Sequence, residues 1–171
     1  MIIKNEQQYQ DTLDCLRRFE KSLAELAGNE TLKSEPVRWQ LYRDSYQSQV
    51  EELKAKIAEY ERLMNCHQNQ PIQIKVESLN KLPDALIKAR IAAKMSQQEL
   101  AELIGIEAER VRQYEDSDYQ CASFIEILEV STVLGVKFET AIMRVDFEEI
   151  AAVKQSAEKW RQEKVRMMAK P

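Results

Sequence analysis

The sequence predicts a mostly α-helical protein. An N-terminal antiparallel helical hairpin is followed by a domain of short helices with one or two short strands, and then by a C-terminal helix. Three observations predict this. Only 3 glycines and 4 prolines occur in 171 residues, so helix breakers are few. Apolar residues recur at steps of three and four through two long stretches near the start. Residues 96–115, SQQELAELIGIEAERVRQYE, carry the signals for two short amphipathic helices joined by a sharp turn. The expected division is 1–67 (hairpin), 68–80 (linker with a short strand), 81–145 (short-helix domain with a following strand) and 146–171 (C-terminal helix).

Asn5 suits the N-cap of the first helix, which carries Tyr9, Leu13, Leu16, Phe19, Leu23 and Leu26 on one face. Gly28 and Asn29 end it. After a polar loop, Pro36 opens a second helix at the first-turn position that proline tolerates. Its stripe is Trp39, Tyr42, Tyr46, Val50, Leu53, Ile57, Tyr60 and Met64, close to a heptad seam. The short connection predicts antiparallel packing. Two helices alone cannot bury both sides, so a second subunit, the C-terminal helix or a partner must cover them. The aromatic stripe is either hairpin or dimer core, or the filler of a partner's groove.

A polar break at 65–70 precedes Ile72, Ile74 and Val76, which alternate with Gln73 and Lys75 at the period of a half-buried strand. A second alternating run is Val136, Phe138, Thr140, Ile142 and Arg144. An isolated strand is not stable, so the two are expected to pair with each other or across a dimer.

Between these runs, Ser96 and Glu99 have the spacing of a capping box. Leu100, Leu103 and Ile104 follow at helical spacing, and Gly105 stands where a left-handed C-cap is wanted. Ile106 is an apolar plug, and a second helix follows with Val111 and Tyr114 facing inward. This is the grammar of a helix-turn-helix, whose second helix is shaped for a DNA major groove. The last stretch, 147–168, reads as an amphipathic helix through Phe147, Ile150, Ala157, Trp160, Lys164 and Met167. From Lys154 onward it has six cations against two acids. That run is either a contact to flanking DNA or a solvated helix face.

Composition removes several function classes. Charged residues make up 32 % of the chain, with both signs mixed, as on solvated helix faces. No apolar stretch approaches the roughly 20 residues that cross a bilayer, and MIIKNEQQYQ lacks a signal-peptide core. A cytoplasmic protein without membrane contact is expected. Cys15, Cys66 and Cys121 are far apart and show no metal spacing, and Cys66 merely adjoins the single histidine, His67. Reduced cysteines, no metal and no cofactor are expected. One histidine and no glycine-rich phosphate loop leave no credible catalytic set, so no enzyme is expected. The formal net charge is −4. Residues 78–140 hold seven Lys/Arg and eleven Asp/Glu, again −4, so DNA binding would rest on a few placed cations.

Three stretches, LIKARIAAKMSQQELAELIGI, RVRQYE and ASFIEILEVSTVLGV, resemble the phage-repressor, or XRE/Cro-type, helix-turn-helix family over residues 82–138. The resemblance implies a lambda-repressor-like domain, with helices expected at 83–93, 97–104, 107–116 and 123–134. Residues 114–123, YEDSDYQCAS, and the opening MIIKNEQQYQ are similar to a branch of this family that includes antitoxins of the HigA kind. In the family a glutamine at the position of Gln97 touches the phosphate backbone, and the first turn of a helix favours an anion there. Arg90 and Glu115 match a family ion pair between the first and third helices, which implies a structural role.

Glu107, Ala108, Glu109, Arg112 and Gln113 face outward from the expected recognition helix. Arg112 and Gln113 suit guanine and adenine edges, Ala108 suits a thymine methyl, and Arg110 suits phosphate. Glu107 and Glu109 repel phosphate unless they accept from a cytosine amine. Together these imply a homodimeric regulator on a palindromic double-stranded DNA operator, in the narrower form an antitoxin that neutralises a toxin and represses its own promoter. The alternatives are a repressor of the same type without a toxin, and an interaction module with weak DNA binding.

Overall fold

The computed structural model describes residues 2–67 and 70–168. Gln68 and Asn69 of the expected polar break, and Lys170 and the Arg166 side chain of the basic run, lie outside the described residues. The chain divides into two compact units, Met1–Lys137 and Phe138–Pro171.

In the first unit, helix α1 spans Glu6–Gly28, with the Asn5 side chain accepting from the Gln8 amide. The expected polar loop contains one helical turn, α2 (Glu30–Lys33), because Asn29 caps it through the Leu32 amide. Helix α3 (Pro36–Met64) starts on its proline. Contacts between the two long helices run in opposite order along them. The Trp39 indole donates to the Leu26 carbonyl (3.2 Å), Phe19 meets Tyr46 edge-on at 5.9 Å, and Tyr9 stacks on Tyr60 at 5.0 Å. Four aromatic residues of the two helices are thus spent on each other. Val50, Ile57, Tyr60 and Leu63 are buried along α3.

The short-helix region comprises α4 (Leu82–Ala92), α5 (Gln97–Ile104), α6 (Ala108–Asp116) and α7 (Phe124–Val133), after a 3-10 turn at Leu79–Lys81. Both halves of the capping box at Ser96 are made, and Gly105 takes the left-handed conformation (φ +83°) that turns the chain between α5 and α6. A second capping box, Ser123 with Glu126, starts α7. Leu86, Ile87, Leu100, Val111, Tyr114 and Val130 are almost wholly buried. Each such aliphatic side chain contributes about 1.5–3 kcal/mol of apolar burial.

The two expected strands do not form, and no strand occurs among the described residues. Ile72, Ile74 and Val76 are half-buried while Gln73, Lys75 and Glu77 are exposed. Ile72 and Val76 pack on the core. The period-two pattern is therefore real, but the segment lies on a helical surface with no neighbouring strand to complete a ladder. In the second run Val136 packs on the core, whereas Phe138 and Ile142 are exposed. Without a partner strand an alternating pattern has nothing to hold it extended.

The hairpin and the short helices form one body. Lys88 of α4 pairs with Glu59 of α3 at 2.8 Å. The segment before α1 runs along the short-helix region, with Ile3 and Lys4 buried. The second unit consists of an irregular stretch and α8 (Phe147–Met168), whose first amides at Glu148 and Glu149 donate to the Asp146 carboxylate at 3.1 Å. No helix among the described residues is long and apolar enough to cross a membrane.

Candidate nucleic-acid interface

A buried charge cluster sets the position of α6. Arg90 donates twice to Glu115, Nε to Oε1 at 2.5 Å and Nη2 to Oε2 at 2.8 Å. The side chains are 6 % and 0 % exposed, so neither charge has water to turn to. Arg90 also donates to the Met95 carbonyl at 2.8 Å and to the Lys4 carbonyl at 2.7 Å. Gln97 Nε2 donates to Glu115 Oε2 at 2.7 Å. The Glu115 carboxylate thereby ties the start of α5 and the end of α4 to α6.

Lys4 closes the cluster. Its ammonium donates to the Glu115 carbonyl and pairs with Asp118 at 2.8 Å. Asp118 and Tyr119 both have positive φ (+50° and +59°), a conformation that costs non-glycine residues roughly 1–2 kcal/mol each. The buried Tyr119 ring stacks on Tyr114 at 5.7 Å, and its hydroxyl has no hydrogen-bond partner among the described residues. Burial pushes that phenol well above its ordinary pKa. Sequence reading missed Lys4, because a lysine before a cap gives no local signal of burial. The apolar Ile2–Ile3 pair beside it is the one hint.

The outer face of α6, which the sequence marks for base contact, is exposed. Glu107, Glu109, Arg112 and Gln113 are open to solvent, and Ala108 is half-buried. Arg112 pairs with Glu109 on the same helix at 2.9 Å, each side chain 60 % exposed. Such a surface pair is worth about 0–1 kcal/mol, so a base or phosphate can draw Arg112 away. Gln113 has no side-chain hydrogen bond among the described residues.

Two of the expected phosphate contacts are engaged within the protein. The half-buried Gln97 side chain turns toward Glu115. The Ser96 hydroxyl already takes the Glu99 amide at 3.1 Å, so what α5 offers an anion is the backbone amides of Gln97 and Gln98, with the Glu99 carboxylate beside them. Hydrogen bonds from Ser96 hold the Glu99 pKa down. Arg110 lies over the Tyr114 ring (5.0 Å), donates to its hydroxyl at 3.0 Å and approaches Glu126 at 3.5 Å. Lys94, in the turn before α5 with φ +55°, is an exposed cation that sequence reading did not single out. Among the described residues no group of His, Cys, Asp and Glu could hold a metal ion.

Tyr114 also donates to Glu126. That bond, followed by those from the backbone and side chain of Ser123, holds the Glu126 pKa down to about 2 from 4.5. A depressed carboxylate pKa stabilises the fold fully above the unfolded value and loses its contribution as pH falls through the folded one. The urea midpoint of the wild type is therefore expected to fall between about pH 4.5 and pH 2. Glu126→Gln is expected to show a shallower fall over that window. Parallel curves for the two proteins would contradict the Tyr114–Glu126 link.

Residues 86–140 match a family model described as helix-turn-helix, of the XRE type. The match begins inside α4, runs through α7 and covers both α5 and α6. It supports a DNA-binding domain over that stretch. No curated protein and no solved structure matches the chain.

Proposed function

We propose that the protein is a sequence-specific, non-enzymatic DNA-binding regulator that acts as a homodimer in the cytoplasm. The observation that carries this reading is the recognition helix. It is locked from behind by Arg90, Glu115 and Lys4, while Arg112 and Gln113 stand exposed on its outer face. Arg112 suits a guanine edge and Gln113 an adenine edge. Phosphate contact falls to the first amides of α5, to Lys94, and to Arg110 where it leaves Glu126. Two copies would present two recognition helices to half-sites about one helical turn apart.

The narrower form is an antitoxin that represses its own promoter and neutralises a toxin encoded beside it. It is supported by the resemblance of residues 114–123, at Tyr114, Glu115, Tyr119, Ala122 and Ser123, and by the opening segment. The hairpin, which precedes the DNA-binding domain, or the C-terminal helix would then bind the toxin. A second reading, an interaction module with weak DNA binding, is favoured by Glu107 and Glu109 on the same helix face.

Nuclease footprinting on the DNA upstream of the gene tests the reading. Two protected patches about one helical turn apart are expected. Absence of protection while the protein binds the product of a neighbouring gene would favour the interaction module. Binding to both DNA and that product, with growth rescued on co-expression, would establish the antitoxin form.

A further inference from the structure

Helix α8 carries an apolar seam that its own unit leaves uncovered. Ile150, Val153, Trp160 and Met167 are 41 %, 64 %, 61 % and 78 % exposed. With Ala157 and Lys164 they fall at 150, 153, 157, 160, 164 and 167, a 3-4-3-4-3 spacing. This is the a/d pattern of a coiled coil, with Ile150, Ala157 and Lys164 at a and Val153, Trp160 and Met167 at d. Val153 supplies the step that the sequence-based stripe lacked.

The flanks of the seam carry opposite charges. Glu149 and Glu163 occupy g positions on one side, and Lys154 and Arg161 occupy e positions on the other. In a parallel pair each g residue faces the e residue five places on in the other helix. Glu149 of one copy then meets Lys154 of the other, twice by symmetry, and this is the one charged pair of the flanks among the described residues, since Arg161 faces Ser156. In an antiparallel pair with the seam fully overlapped, e faces e, which sets Lys154 of one copy against Arg161 of the other. Lys164 lies over the Trp160 ring at 5.1 Å. A lysine at a single a position fixes register and disfavours larger assemblies.

From this complementarity we propose that α8 pairs with α8 of a second copy as a parallel two-stranded coiled coil. The occupant of the seam is thus the same chain, and the charged flanks choose its direction. The inference deepens the dimeric reading above by naming the surface. Because it is tested without DNA, its failure is distinguishable from a failure of DNA binding.

Sedimentation velocity on the full chain is the test, with the melt of the helix-turn-helix unit as a folding control. The wild type is expected to be a dimer, and Val153→Asp combined with Trp160→Asp a monomer with an unchanged melt. Glu149→Lys is expected to weaken the dimer roughly threefold or more, since two surface pairs become repulsions. The further change Lys154→Glu in the same chain restores it. Ala157→Cys, mapped by peptide mass after mild oxidation, is expected to give a disulfide that joins the introduced thiol to its counterpart in the other copy. A wild-type monomer, or a dimer indifferent to the two aspartates, would overturn the proposal. Loss of the dimer without rescue by the charge swap, or without that symmetric cross-link, would overturn the parallel arrangement.

Discussion

Arg90→Ala is expected to lower the free energy of unfolding by about 3–5 kcal/mol, the usual result of stranding one member of a buried ion pair. Three groups lose their partner at once. The Glu115 carboxylate, 0 % exposed, keeps only the Gln97 amide, and the Lys4 and Met95 carbonyls lose their donor. A domain of ordinary stability has about 5–15 kcal/mol in total, so the variant loses a large share of it. The loss is expected as a shift in the urea midpoint with little change of slope. Replacing both partners by apolar residues, Arg90→Met with Glu115→Leu, is expected to recover much of it, because no buried charge is then left alone. A double variant no more stable than Arg90→Ala would show that the bonds to Lys4 and Met95, rather than the charge pair, carry the cost.

Local grammar made part of this molecule legible and long-range contact hid the rest. The Ser96–Glu99 capping box and the left-handed Gly105 are decisions taken within a few residues, and both are found where the sequence placed them. The start of α3 on Pro36 is of the same kind. The segment 72–76 shows the limit. Its alternation correctly marks which side chains turn inward, but a strand also needs a neighbour, and periodicity contains no information about one. Lys4 lies further out of reach. Its partners Glu115 and Asp118 are 111 and 114 residues away, and only the docking of the N-terminal segment on the short helices brings them together. The sequence marks Gln97 only by its helix-start position, but the carboxylate it turns to sits on the next helix. Arg110 and Glu126 meet through the Tyr114 hydroxyl for the same reason.

The second large effect concerns the outer face of α6. Arg112→Ala is expected to cost about 1–3 kcal/mol of specific DNA binding, the usual value of a bidentate arginine–guanine contact. Releasing Arg112 from Glu109 costs at most about 1 kcal/mol, because both side chains are exposed. The balance therefore favours the base. Glu109→Gln removes both the competing carboxylate and a repulsion with phosphate, so it is expected to tighten binding to all DNA. Gln113→Ala is expected to relax discrimination at one position while leaving non-specific binding unchanged.

The most direct test of the central claim is an anisotropy titration against two duplexes of equal length, the upstream sequence and its scramble, over a range of salt. Wild-type protein is expected to prefer the upstream duplex, with affinity falling linearly in log salt, and Arg112→Ala is expected to bring the two duplexes toward equal affinity. Equal affinity of the wild type for both, or a preference that Arg112→Ala leaves intact, would contradict the assignment of α6 as the helix that reads sequence.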